Sequence, residues 1–414
     1  MLNRIKKWPL IRTFSIISIF CFFIWLIMLL CQHSNTQAFL FFSPANKPCS
    51  DFFMDFINPI NYVKDNLVYE HSDIMGRIWR CYSPGAFFIF KIFAKLTSSI
   101  SNANYIQVQY MLASICLAFL SCLIVILINS ALKTKNNIDK ILFCLAFLSS
   151  QMFLFSFERA NIIILSMLLS AFFIFNYNSE NKIIKELSLL SLATAFMLKI
   201  SPLILVLLLI YNKDYKGFIR TIIYCVLLMI LPAFSYPRGL ETLITFKDNA
   251  KLFCEYKFGD SSLLGKGLLF SIFPDQVQII NYLIYFIATI MLCCSFFYKK
   301  IWRKVLALVL FIIFIPNGVE LYALLYFLPV IILYFNEPDK EKDDYKYLVY
   351  FLILFFQIQI VIGHVNLTPI IRNLVLLIML MKESMYGIKY FKENAILKDL
   401  FIKIKKNKLF RKNI

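Results

Sequence analysis

The sequence predicts an all-α polytopic membrane protein, and three observations lead there. Of 414 residues, 60% are apolar, 17% are aromatic and only 16% are charged, whereas soluble domains run about 25% charged and about 45–50% apolar. The apolar residues fall in long runs. A helix crossing the hydrocarbon uses about 20 residues, so ten to twelve crossings would take roughly 200–240 positions, close to the apolar total. Third, the 43 Lys and Arg, which against 24 Asp and Glu give a formal charge of +19, lie mostly in short clusters between those runs. That is the positive-inside signature of a membrane protein, and it accounts for the charge without a nucleic-acid partner. The 11 Cys include no CxxC pair, and Cys116, Cys122, Cys144, Cys225, Cys293 and Cys294 sit inside apolar runs. They read as small core residues and not as a disulfide framework or metal site.

Arg4, Lys6, Lys7 and Arg12 precede a first span over residues 13–31. That run is long for a signal-peptide core and no small-residue cleavage site follows it, so it reads as an uncleaved span with a cytoplasmic N-terminus. Residues 32–104 then form a first, large extracytoplasmic loop, mixed in composition, with Pro44, Pro48, Pro59, Asp51, Asp55, Asp65, Glu70 and Asp73. Within it, residues 84–96 are apolar but carry Lys91 and Lys95. This is too short to cross and suited to lying in the interface.

Spans over 105–128, 141–157 and 161–177 follow, leaving Glu158–Arg159 at an outer hairpin tip. Residues 187–211 read either as one span or as two short ones turning at 198–202. Lys199 and Pro202 favour the broken pair, because Pro removes a backbone donor and disfavours helix just before it. Residues 221–234 lead to a second extracytoplasmic loop, 235–275, and 276–298 return. A hairpin of 305–315 and 321–335 has Pro316, Asn317, Gly318 and Glu320 at its outer tip. After the charged segment 336–346, residues 347–363 go out and 373–381 come back to a basic cytoplasmic tail, 382–414, suited to anionic lipid. The chain thus reads as a single integral membrane domain, 1–414, of about twelve transmembrane helices with both termini inside.

No P-loop, GxGxxG, HExxH or GxSxG pattern is present, which argues against a nucleotide motor and the common hydrolases. The short cytoplasmic loops leave no room for a catalytic domain, so chemistry is expected at the outer surface. Charged groups at or in the membrane are costly and default to functional candidates. Asp51 and Asp55 lie four apart in Ser50-Asp51-Phe52-Phe53-Met54-Asp55-Phe56, a spacing that a helix would place on one face. A carboxylate there can take a proton from an attacking hydroxyl, or merely cap a helix. Lys199 between Leu198 and Ile200 must snorkel outward or meet an anion. Arg159 either neutralises Glu158 or joins Lys199 at an anionic headgroup. Arg77 and Arg80 flank Trp79, an interfacial arrangement that also makes them candidates for a donor phosphate. Glu320 and His364 sit at other outer tips. No carboxylate spacing commits to a divalent metal, which leaves a metal open, and no other cofactor is implied.

The run Phe157-Glu158-Arg159-Ala160-Asn161 resembles the Glu-Arg-Gly-Asn element of glycosyltransferase family 87. Ala195-Phe196-Met197-Leu198-Lys199-Ile200-Ser201-Pro202 is similar to that family's Leu-Lys-x-x-Pro segment, and Tyr82-Ser83-Pro84 to its Tyr-Pro-Pro element. The general layout is similar too, and the resemblance covers most of the chain. Ala160 stands where the family has Gly, and Ser83 where it has Pro. The resemblance implies a GT-C-type bundle around an extracytoplasmic cavity. It also implies a polyprenyl-phosphate-linked sugar as donor, with mannose or another hexose or pentose transferred, with inversion, to a lipid-linked or envelope glycan acceptor. Asp51 is then the expected base with Asp55 second, and Lys199 and Arg159 are the expected phosphate contacts. The Phe- and Lys-rich, Gly-poor composition points to a bacterial inner membrane. The competing readings are an envelope polysaccharide polymerase, a lipid-linked glycan transporter, whose charges would line a channel and not gather at one face, or an inactive assembly subunit.

Overall fold

The computed structural model describes residues 9–31, 52–65, 67–98, 105–260, 263–356, 361–362 and 365–393. Asp51, His364 and most of the basic tail lie outside them. The described chain is built almost wholly of helices. They run α1 (Leu10–Cys31), α2 (Met54–Tyr62), α3 (Ile74–Ile78), α4 (Pro84–Ser98), α5 (Tyr105–Ala131), α6 (Asn137–Leu148), α7 (Gln151–Glu158), α8 (Ile163–Asn176) and α9 (Lys182–Leu198). After a 3-10 turn at Ser201–Val206 come α10 (Leu207–Tyr211), α11 (Tyr215–Ala233), α12 (Glu241–Tyr256), α13 (Gly267–Ile272), α14 (Val277–Ser295) and α15 (Ile301–Phe314). Another 3-10 turn, Leu321–Tyr326, leads into α16 (Phe327–Asn336), then α17 (Tyr345–Phe355) and α18 (Leu367–Glu393). A two-residue antiparallel ladder joins β1 (Val361–Ile362) to β2 (Val365–Asn366).

Local sequence explains the starts. Asn136, Ser150, Asn181 and Asp214 each turn a side-chain oxygen onto backbone N–H groups of the next turn and cap α6, α7, α9 and α11. Between α9 and the first 3-10 turn, Lys199 is extended (φ −144°) and Pro202 follows, so the helix breaks where the Lys-x-x-Pro spelling places the break.

Among the described residues four helices are long and apolar enough to cross a membrane: Leu10–Ile27, Ile106–Ala131, Tyr215–Ala233 and Pro274–Ser295. The pair α6 and α7, bent by 53°, makes a fifth. This is fewer than the twelve crossings expected. The other apolar segments are helices of 10–17 residues, such as Ile163–Asn176 and Leu321–Asn336, shorter than the about 20 residues that cross unaided. The long helices expose much of their apolar surface, with Phe119 on α5, Leu231 on α11, and Ile279 and Phe286 on α14 all over half exposed. Lipid tails cover such faces at low cost, and these long apolar helices suit a membrane protein.

The centre is the opposite case. Every side chain over residues 305–310 of α15 and 327–332 of α16 is buried, as expected for helices apolar on all sides. One end of α15 is pinned by charge. Arg303, 2% exposed, donates to Asp344 at 2.5 Å and to Glu383 at 2.5 Å. Lys300 reaches Asp344 at 2.7 Å and Glu341 at 3.0 Å, and Tyr347 donates to Glu383. The cluster ties α15 to the start of α17 and to the middle of α18. Removing one member leaves an uncompensated buried charge, so Arg303→Ala is expected to cost about 3–5 kcal/mol, read as a lowered thermal midpoint in detergent. Replacing Arg303 and Glu383 together with Met and Leu should recover most of it.

Candidate functional site

A cavity of about 750 Å³ opens at the other end of α15, about 20 Å along the helix from Arg303 at 1.5 Å per residue. Four stretches that are far apart in sequence build its wall: α2 with residues 79–83 of the first loop, the hairpin tip after α7, the break after α9, and the tip at 316–320 with α12.

The first of these is fixed by an ion pair. Arg159 grips Asp55 through two parallel bonds, Nε to Oδ2 at 2.9 Å and NH2 to Oδ1 at 2.7 Å. Asn161 donates to the same carboxylate at 2.6 Å. The backbone follows, with the Phe53 N–H donating to the Glu158 carbonyl at 2.8 Å and the Asp55 N–H to the Arg159 carbonyl at 3.1 Å. The tip turns sharply at Ala160, φ 49°, a left-handed conformation that favours Gly, which explains why glycine suits this position in the Glu-Arg-Gly-Asn pattern. Because α2 begins at Met54 and Phe53 is itself left-handed at φ 59°, no continuous helix carries both Asp51 and Asp55 on one face. Asp51 lies outside the described residues.

The helix break supplies the second charge. The side chain of Lys199 lines the cavity, its Nζ 4.9 Å from the ring centre of Tyr82 and 5.5 Å from that of Tyr322, distances at which ring faces attract a cation. Among the described residues no carboxylate pairs with it. Ser83 holds the break in place. Its hydroxyl donates to the Met197 carbonyl, one of the last-turn carbonyls that a helix end leaves without a partner.

The third wall bears Glu320. Its carboxylate meets Lys257 at 3.3 Å, and Lys257 also meets Asp260 at 3.1 Å. Burial works against the Lys257 charge, but Glu320 and Asp260 outweigh it and hold the amine above its ordinary range. Lys266, 1% exposed, donates to Asn317 at 2.9 Å and lies over the Tyr285 ring. Burial lowers its pKa to about 8.

The structure therefore brings Asp55, Arg159, Lys199 and Glu320 to one cavity. Glu158 is buried outside the lining, and its backbone carbonyl serves the Phe53 contact. Arg77 and Arg80 point elsewhere: Arg77 donates to Asn249 of α12, and Arg80, 5% exposed, donates to Asp65 and to the Val68 carbonyl and covers the Tyr62 ring. They hold the first loop together and onto α12. His364 lies outside the described residues. Tyr322, Asn317 and Trp79 join the lining. Tyr322 gave no signal inside its apolar run, and Asn161, although within the quoted motif, showed its role only through the Asp55 contact. Among the described residues no three His, Cys, Asp or Glu side chains gather closely enough to hold a metal ion.

Two stability measurements follow. Asp55→Asn keeps the shape but removes the charge opposite Arg159, and Arg159→Lys loses the fork. Each is expected to lower unfolding free energy by about 1–3 kcal/mol in denaturant titrations. For Lys266 the folded pKa of about 8 lies below the ~10.4 of an unfolded lysine. The unfolded chain thus holds more protons between those values, and stability rises with pH across that window. Lys266→Met should flatten the rise, seen as thermal midpoints that no longer climb from pH 8 to pH 10.

The family model for glycosyltransferase family 87 matches residues 80–315, more than half of the chain. No curated protein and no solved structure matches it.

Proposed function

The chain belongs to glycosyltransferase family 87 and is a membrane glycosyltransferase, and on that premise we propose its reaction. A sugar, mannose or another hexose or pentose, moves from a polyprenyl-phosphate donor to a lipid-linked or envelope glycan acceptor, with inversion, at the extracytoplasmic face of a bacterial inner membrane. The positive-inside distribution of Lys and Arg supports this face for the cavity and the cytoplasm for both termini.

The observation that carries the reading is the charge balance of the cavity. Arg159 is neutralised by the bidentate Asp55, whereas Lys199 faces the cavity between two tyrosine rings without a carboxylate partner among the described residues. One uncompensated positive charge suits a phosphodiester, which carries one negative charge, better than a diphosphate, which carries two. The donor's polyprenyl tail stays in lipid, so its phosphate arrives at helix ends such as the break after α9.

In the proposed step an acceptor hydroxyl oxygen attacks the anomeric carbon. The bond from that carbon to the phosphate oxygen breaks, and its electron pair leaves on the polyprenyl phosphate. Lys199 opposes the charge that develops there, and does so more strongly in a partly dehydrated cavity than in water. The hydroxyl proton passes to a carboxylate of the first loop. Both oxygens of Asp55 are occupied by Arg159 and Asn161, which suits Asp55 to holding the wall and leaves Asp51 as the proposed base.

Sugar transfer by the purified protein in lipid nanodiscs, from a panel of labelled polyprenyl-phosphate sugars, tests the proposal. Asp51→Asn is expected to abolish turnover by roughly 10²–10⁴-fold with donor binding retained. Lys199→Met is expected to weaken donor binding and slow transfer together. Transfer only from diphosphate-linked glycans would sink the monophosphate reading.

A further inference from the structure

The tip between α15 and the 3-10 turn at Leu321–Tyr326 does something that a phosphate clamp does not need. Asn317 Oδ1 accepts from Lys266 Nζ at 2.9 Å and from Tyr285 Oη at 3.3 Å. A lysine ammonium only donates, so the atom facing it must be the amide oxygen, and the orientation of the side-chain amide is settled by its partner. Asn317 Nδ2 is thereby left as a donor, and among the described residues no protein acceptor takes it. Three residues on, Glu320 also lines the cavity, with one carboxylate oxygen on Lys257 and the other without a protein partner among the described residues.

Gly318 makes this spacing possible. It lies at φ +95°, and a Cβ there would stand 2.3 Å from the Phe253 ring. Phe253 and Trp79, whose rings meet edge to face at 6.2 Å, line the same cavity and offer apolar surface beside the two polar groups.

We propose that Asn317 and Glu320 form a pyranose-binding subsite that takes a pair of neighbouring sugar hydroxyls, Asn317 donating to one and Glu320 accepting from the other. The inference rests on the reading that this cavity handles a glycosyl donor and acceptor. A phosphate does not fit the tip, because the Glu320 carboxylate repels it. A neutral diol satisfies one donor and one acceptor at once, and the aromatic rings cover the apolar side of a sugar. The hydroxyl pair belongs either to the transferred sugar of the donor or to the terminal sugar of the acceptor. Lys266 is a positioning residue for this subsite, acting through the Asn317 amide.

Asn317→Asp tests it, because aspartate keeps the oxygen for Lys266 while turning the cavity-facing donor into an acceptor. Glu320→Gln makes the converse change. With the protein in nanodiscs, each variant is expected to raise KM for one substrate roughly ten- to hundredfold while kcat changes little, the signature of lost uniform binding. A raised KM for polyprenyl-phosphate mannose assigns the pair to the donor sugar, and a raised KM for the acceptor glycan assigns it to the acceptor. A second measurement does not need turnover: saturation-transfer NMR with methyl α-mannopyranoside should show a bound signal in the wild type that is at least halved in both variants.

Unchanged KM values and an unchanged NMR signal in both variants would overturn the subsite, and active wild type would then leave the transferase reading standing. A wild type without transfer that still binds the methyl glycoside through Asn317 would do the reverse. If Asn317→Asp proves unstable, Asn317→Ser gives the same readout with the donor shortened.

Discussion

The ion pair between Asp55 and Arg159 is the constraint on which the site depends. It joins residues 104 apart in sequence, and it carries α2 onto the hairpin tip after α7 together with two backbone hydrogen bonds. Without it the tip is held to the start of α2 by those two backbone bonds, and this wall of the cavity is weakened. The pair is partly shielded, with side-chain exposures of 22% and 16%, so its Coulomb energy exceeds that of a surface pair while desolvation stays moderate. The bidentate fork adds geometry as well as energy.

Neutralising Arg159 has an electrostatic consequence. It leaves Lys199 as the charge that an anion in the cavity meets, and the fold treats that lysine with care. Ser83 secures the helix end just before it, and two tyrosine rings flank its amine. The far wall is arranged differently, since Glu320 and Asp260 share one lysine, Lys257, which leaves that wall net negative, and Asn317 is turned by Lys266. One side of the cavity suits an anion and the other suits hydroxyls, the division that the proposed phosphate-linked donor would require.

The buried helix α15 connects this region to a second polar cluster. Arg303, Asp344 and Glu383 are almost wholly removed from solvent, so their pairing defines the register of α15 against α17 and α18 more than it adds net stability. The cavity tip at Pro316 to Glu320 inherits its position from that register. Around the centre, the lipid-facing helices α5, α11 and α14 contribute area and little specificity, because a hydrocarbon surround distinguishes poorly among apolar side chains.

Membrane residence was determined by the sequence alone, because apolar content and clustered cations are bulk properties that no tertiary arrangement can hide. The break at Lys199 was also legible, since Pro acts on its own backbone and on the residue before it. The Glu-Arg and Lys-x-x-Pro spellings likewise marked Arg159 and Lys199. The number of crossing helices was not, because length rules assume a straight helix that crosses alone and several apolar segments here are short or bent. Nor could sequence tell that Asp55 faces Arg159, that Arg77 and Arg80 turn away from the cavity, or that Asn317 and Tyr322 enter it. Those facts are contacts between stretches far apart in sequence, as for Asp55 with Arg159 and Arg77 with Asn249, or orientations fixed by one neighbouring partner, as for Arg80 and Asn317. Only the tertiary structure decides them, because a side chain's charge can be read from its type while its partner depends on where the rest of the chain is packed.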